Sequence, residues 1–334
     1  MKVVMTLLLR DEVDIIDSML SFHLNAGVDS VIAMDNNSVD GTTEVLESYA
    51  RGGVLHLIRQ PERDRFEQGE WVTEMARLAA TDYGADWIIN ADADEFWWPR
   101  GGSLKEVFAA VPARFGRIYA MVRHFVPRPE TDDVFAERMN VRICNPGFEK
   151  NNPFGPRQLI AHRAERDITL NDGRHTTHTS LRALNGWYPV DMLHFPIRSL
   201  EQCELKYRLR WTPVVAAGGT LTGVYLLAYE ATRAGRFEEF YERFVVDDAS
   251  LVDGLAAGTL AIDNRLRDAL RMIREGKTEA LRFEDVLEDG YLLELGRLAE
   301  AQPDVLTQRR IDELEARIRT AEERLSSRLL RALS

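Results

Sequence analysis

The chain has 334 residues, 45% hydrophobic and 29% charged, with a formal net charge of −12. That composition suits a globular protein with an ample core, and the negative balance argues against a long nucleic-acid partner. No segment is long and apolar enough to span a bilayer, and the two cysteines, Cys144 and Cys203, lack metal-ligand spacing, so free thiols and a reducing, cytoplasmic setting are expected.

The first element is the apolar run KVVMTLLL, which meets charge at Arg10. Continuous runs of this length suit a strand covered on both faces, as in a parallel sheet. DEVDIIDSMLSFHLNAG then has helical periodicity and stops at Gly27, an expected C-cap. SVIAMD is a second strand, followed by a turn-rich DNNSVDGT, with Ser38 or Asp40 expected to cap the next helix. VLHLIR is the third strand, EQGEWVTEMARLAATDYG the next helix, and ADWIINAD the fourth strand. Alternation of strand and helix over the first 95 or so residues predicts an α/β domain with a mostly parallel sheet flanked by helices.

Ligands of such sheets sit at the carboxyl ends of the strands. Arg10 and Asp11, Asp35 and Asn36, Arg59, and Asp92 and Asp94 all fall there, one group per strand. With WIINAD extended, alternate side chains share a face, which points Asp92 and Asp94 the same way. Two close carboxylates call for a cation between them, and oxygen ligands suit Mg²⁺ or Mn²⁺. The apolar residues before them and Phe96, Trp97 and Trp98 after them read as a core strand and the wall of a dry pocket.

Further along, RIYAMVRHFVP, RQLIAHR and VDMLHFP are predicted strands, and residues 127–157 read mostly as loop. From Ser199 the pattern turns helical. Near the C-terminus Ile311, Leu314, Ile318, Ala321 and Leu325 repeat at spacings of three and four. That predicts an amphipathic helix over residues 301–334, docked on the body or available for self-association or a membrane-surface contact.

Two segments carry a resemblance. Leu7 to Thr42, LLLRDEVDIIDSMLSFHLNAGVDSVIAMDNNSVDGT, followed by WIINADADEFW from Trp87, is similar to the glycosyltransferase family 2 group of nucleotide-sugar enzymes. The branch with an Arg-Asn-Glu-type start, an Asp-Asn-x-Ser-x-Asp-Gly-Thr turn and an Asp-x-Asp-Glu-Phe end is the nearest likeness, with Asp11 where Asn is more usual. MLHFPIRSLEQCELK, Met192 to Lys206, resembles a His-aromatic-x-x-x-Ser segment of the same branch. The resemblance implies a GT-A (Rossmann-like) fold over residues 1–215, with a nucleotide half (1–100) and an acceptor and metal half (101–215), leaving a helical extension over 216–300.

It further implies a nucleotide-sugar donor, a glycan or other hydroxyl acceptor, and inversion by direct displacement with Mn²⁺ or Mg²⁺ bridging the donor diphosphate. Asp92 and Asp94 match the metal positions, Asp35 and Asn36 the nucleoside-binding turn, and Arg10 and Asp11 the first loop. A late histidine often completes the metal shell in such enzymes, and His194 is the candidate. The base that takes the acceptor proton is expected at Asp172 or Asp191. Arg157, Arg163 and Arg174 are candidates to neutralise phosphate charge. Two alternatives compete. A sugar nucleotidyltransferase would carry a Gly-rich loop after the first strand, which LLRDEVD lacks. A non-catalytic scaffold would not need Asp92, Asp94 and His194 together.

Overall fold

The computed structural model describes residues 1–60, 68–131, 133–144, 153–154, 158–170, 177–184, 188–216 and 218–283. Its strands are β1 (Val3–Leu9), β2 (Ser30–Asp35), β3 (Leu55–Arg59), β4 (Trp87–Ala91), β5 (Glu95–Pro99), β6 (Phe115–His124), β7 (Val141–Ile143), β8 (Gln158–Arg163), β9 (Thr169–Leu170), β10 (Thr177–His178), β11 (Arg182–Ala183), β12 (Val190–His194) and β13 (Leu260–Ile262). The α-helices are α1 (Ile16–Ala26), α2 (Thr42–Arg51), α3 (Gln68–Thr81), α4 (Leu104–Ala110), α5 (Phe135–Arg138), α6 (Leu200–Ala216), α7 (Gly223–Arg233), α8 (Phe237–Glu242), α9 (Asp248–Ala256) and α10 (Arg265–Arg274). Every described residue falls in one compact unit.

The principal sheet runs β3-β2-β1-β4-β8-β6-β12-β5, with β11 beside β6. The β3-β2-β1-β4 block is parallel, β8 runs against both its neighbours, and β12 returns to the common direction beside β6. The C-terminal ends of β1, β2, β3, β4, β6 and β12 therefore share one edge. All seven residues of β1 are buried, as a strand with both faces covered requires. On one face Val4, Ile32 and Ile88 pack with Trp71, Val72 and Met75 of α3.

Local chemistry sets the turns. Gly27 ends α1 in the left-handed region (φ 112°) and donates to the His23 carbonyl; a Cβ there would meet Lys105 at 3.4 Å. The cap expected for α2 differs: its N-cap is Gly41, and no side chain caps it. Asp40 instead accepts from the Thr42 amide and, across the loops, from Val13.

EFWWP, expected as a pocket wall, is strand β5, paired antiparallel with β12 in the core. Trp97 is fully buried, its amide donates to His23 Nε2, and Trp98 stacks on Phe22. The loop expected over 127–157 contains α5 and β7, and β7 pairs with β13 from the helical extension. Both cysteines are free thiols. No helix among the described residues is long and apolar enough to cross a membrane. The helix expected over 301–334 lies outside the described residues.

Candidate active site

A cleft of about 450 Å³ opens at the shared strand edge. Its floor comes from Leu8 and Leu9 at the end of β1, Arg10, Asp11 and Glu12 after it, Asn36 after β2, and Asp92, Ala93 and Asp94 after β4. One wall is α6, through Gln202, Leu205, Lys206, Leu209 and Arg210, and Gln68 at the start of α3 also reaches it. A cavity of this size accommodates a nucleotide-sized ligand.

One end of the cleft is built from two interlocked loops. Asp11 and Asn37 both take left-handed conformations (φ 54° and 55°), which Asp and Asn tolerate best among residues with a side chain. The Asp11 carboxylate accepts from the Val39 amide at 2.7 Å, and its own amide donates to Ser38 Oγ at 2.9 Å. Asp35 holds the turn from inside, accepting from the Ser38 amide and hydroxyl and from Thr43 Oγ1. Asp35 is thus a buried turn organiser rather than a lining residue. Asn36 is 2% exposed and lines the cleft, and its Oδ1 accepts no hydrogen bond from any described residue. A buried acceptor in that state is open to a donor from water or from a ligand in the cleft.

The acidic stretch differs from its expected geometry. β4 ends at Ala91, and Asp92 to Glu95 form a tight turn closed by the Glu95 amide on the Asp92 carbonyl (3.2 Å). The Glu95 side chain reaches back to the Asp92 amide at 2.9 Å. Strand alternation therefore does not apply to Asp92 and Asp94. Among the described residues, the cluster that can hold a cation is Asp94, Glu95 and His194, whose ligand atoms all lie within 4.8 Å of one another. Register explains it: His194 pairs with Glu95 across β12 and β5, and the Phe195 amide donates to the Asp94 carbonyl. All three are buried, and their oxygens and imidazole nitrogen fit a divalent ion such as Mn²⁺ or Mg²⁺. Asp92 lines the cleft beside them without belonging to that cluster.

The cluster is set in opposing charge. Lys206 Nζ sits 2.5 Å from Asp94 Oδ2, and His194 Nε2 lies 3.7 Å from the same oxygen. Burial pushes the Asp94 carboxyl up, but Lys206, His194 and Arg198 outweigh it and hold it well below the usual carboxylate range. Behind it, the fully buried Arg198 binds Asp14 through two nitrogens (2.6 and 2.8 Å) and Glu12 through one (2.5 Å). Burial raises the Glu12 carboxyl to about 7 against the pull of Arg198, with Asp94 adding to the rise.

Several expected site residues lie elsewhere. Arg59 ends β3 but its side chain is 61% exposed and pairs with Glu47, outside the cleft. Asp191 is fully buried among Arg100 (2.7 Å), Arg123 (3.0 Å) and Arg265 (3.1 Å). Burial pushes its carboxyl up, and the three guanidiniums more than reverse that, holding Asp191 below the usual carboxylate range and outside the cleft lining. Arg163 is also structural: it donates to the Phe115 and Val111 carbonyls and covers Trp87. Asp172, Arg157 and Arg174 lie outside the described residues. Lys206, Arg198 and Gln202 carry no signal of their own in the sequence beyond their place in the Met192-to-Lys206 segment.

Residues 13–174 match the model of glycosyl transferase family 2. The matched stretch is just under half of the 334 residues. The match covers Asn36, Asp92, Asp94 and Glu95 and stops before His194, Arg198 and Lys206. The α/β fold, with its mostly parallel sheet flanked by helices, is the class expected from the sequence.

No curated protein matches the chain significantly. Among solved structures, S. aureus TarS is similar at 12% identity over 71% of this chain and 43% of that one, with a TM-score of 0.34. TarS 1–349 in complex with UDP is 12% identical over 84% and 88%, with a TM-score of 0.37. Glucosyl-3-phosphoglycerate synthase from Mycobacterium tuberculosis, in complex with Mg²⁺ and UDP, is 18% identical over 36% and 43%, with a TM-score of 0.27. The chain thus spans less than two thirds of the length of the TarS chain matched first and of the synthase. Likeness at this level carries no residue-by-residue correspondence.

Proposed function

We propose that the chain transfers a glycosyl group from a nucleoside-diphosphate sugar to a hydroxyl acceptor, with a divalent ion held by Asp94, Glu95 and His194 and inversion at the anomeric carbon. The observation that carries this reading is the placement of Asn36 and Asp94 in one cleft. At one end stands a buried acceptor without a donor, and at the other a carboxylate backed by a cation-binding cluster.

Asn36 and the Asp11 loop hold the nucleoside. The carboxylates of Asp94 and Glu95 and the His194 imidazole hold the ion, with Asp92 beside them at the cleft surface. When bound, the divalent ion supplies charge stabilisation to the departing diphosphate. The acceptor hydroxyl attacks the anomeric carbon as the bond to the diphosphate oxygen breaks, and a carboxylate takes the hydroxyl proton. Asp172 remains one candidate base. Glu12 is the other: it lines the cleft, and a carboxyl near 7 is matched to proton transfer at neutral pH.

Calorimetric titration of nucleoside diphosphates, with Mn²⁺ and in EDTA, tests the reading. Tight binding in Mn²⁺, weakened at least tenfold in EDTA, and a roughly tenfold loss in Asn36→Ala are expected. Absence of binding for every nucleoside diphosphate in both conditions would overturn it.

A further inference from the structure

Lys206 and the expected ion claim the same atom. Lys206 Nζ lies 2.5 Å from Asp94 Oδ2, the oxygen that also faces His194 Nε2. A divalent ion bound within the Asp94, Glu95 and His194 cluster would sit beside that ammonium, and two cations in contact in a buried site repel strongly. One has to give way.

Lys206 is built to do so. It projects from α6 into the cleft, its side chain is 31% exposed, and its second partner is the Pro196 carbonyl at 3.1 Å. A lysine ammonium is a point charge on a four-carbon stem, able to redirect without moving the backbone. The cleft it faces is where the donor diphosphate would lie.

We propose that Lys206 is an exchangeable internal cation: it neutralises Asp94 when no metal is bound, and yields that carboxylate to the metal when a diphosphate arrives to receive its ammonium. This rests on the donor and metal assignment above and adds a mechanism to it. Metal binding alone would strand the ammonium beside a second cation. Diphosphate binding alone would leave Asp94 competing for the same lysine. Together, each anion has its own cation, so metal and nucleotide bind cooperatively.

The test is Mn²⁺ binding to the nucleotide-free protein, followed by electron paramagnetic resonance, in wild type and in Lys206→Met and Lys206→Gln. The glutamine retains a donor for Pro196 O and guards against a folding defect in the methionine variant. Both variants are expected to bind Mn²⁺ about tenfold or more tightly than wild type without nucleotide. In saturating Mn²⁺, both are expected to bind nucleoside diphosphate about tenfold more weakly, from loss of a charge-assisted contact. Unchanged or weaker Mn²⁺ affinity in folded variants would overturn the exchange while leaving the metal site standing. No Mn²⁺ binding to wild type even with nucleotide would overturn the metal assignment and the exchange with it.

Discussion

His194 and His124 face each other Nδ1 to Nδ1 at 3.0 Å, paired in register across the parallel strands β12 and β6. At that distance one ring donates and the other accepts. When His194 donates from Nδ1, its Nε2 keeps the lone pair that a metal needs, and that nitrogen is the one turned toward Asp94. His124 is then the positioning residue for the proposed metal ligand. We expect His124→Phe to weaken Mn²⁺ affinity in the presence of nucleotide by about 10- to 100-fold, with partial recovery in His124→Asn, which can still accept. Mn²⁺ titration checks this; equal affinities in wild type and His124→Phe would remove His124 from the site.

Asp94 and Asp92 should not behave alike. Asp94→Asn is expected to abolish most of the coupling between Mn²⁺ and nucleotide, and most metal-dependent donor turnover, while the fold persists. Asp92→Asn is expected to lose less, because Asp92 lies outside the cluster of ligand atoms. Nucleotide calorimetry with and without Mn²⁺ compares them directly, and a greater loss in Asp92→Asn would invert the assignment.

Asp191 should register in stability. Removing it leaves Arg100, Arg123 and Arg265 without their shared anion, a loss on the order of 3–5 kcal/mol for a buried pairing. Asp191→Ala is therefore expected to lower the denaturation midpoint sharply or to prevent folding. A variant of unchanged midpoint with lost turnover would instead restore Asp191 as a base.

Two buried histidines set an acid limit. Burial lowers both His23 and His162 to about 4, from an ordinary value of 6.5. In the unfolded chain each takes a proton below about 6.5, while the folded chain resists until about 4. The unfolded state binds more protons across that window, so stability is whole above it and falls as pH drops through it. Between pH 7 and pH 5 the histidines' own share of the loss should be on the order of 2 kcal/mol each, opposed by Glu12, whose raised carboxyl takes up its proton in the folded state over the same window. Urea denaturation at both pH values measures it, and His162→Gln, which keeps a partner for Asn90, should flatten the dependence.

The parallel β/α order was legible in the sequence because it depends on local patterning. A fully apolar β1 needs cover on both faces, and Gly27 stops α1 through its own backbone freedom. Polar groups at successive strand ends then share one edge by topology alone, which is why Arg10, Asp11, Asn36, Asp92 and Asp94 all line the cleft. The same rule misplaced Arg59, since β3 is the outermost strand of that block and its terminal side chain turns to solvent and Glu47.

What followed from distance along the chain was decided only by packing. Asp92 and Asp94 lose the expected strand alternation because β4 stops one residue earlier and turns into β5, a pairing set by β12 almost a hundred residues on. That pairing carries His194 to Glu95 and places α6 so that Lys206 meets Asp94. It also buries Asp191, whose partners Arg100, Arg123 and Arg265 come from three separate parts of the chain. Helical periodicity shows which residues share a face of α6, but not which carboxylate that face will meet. Charge pairing between elements this far apart exists only once the sheet has closed and excluded the water that would otherwise screen it.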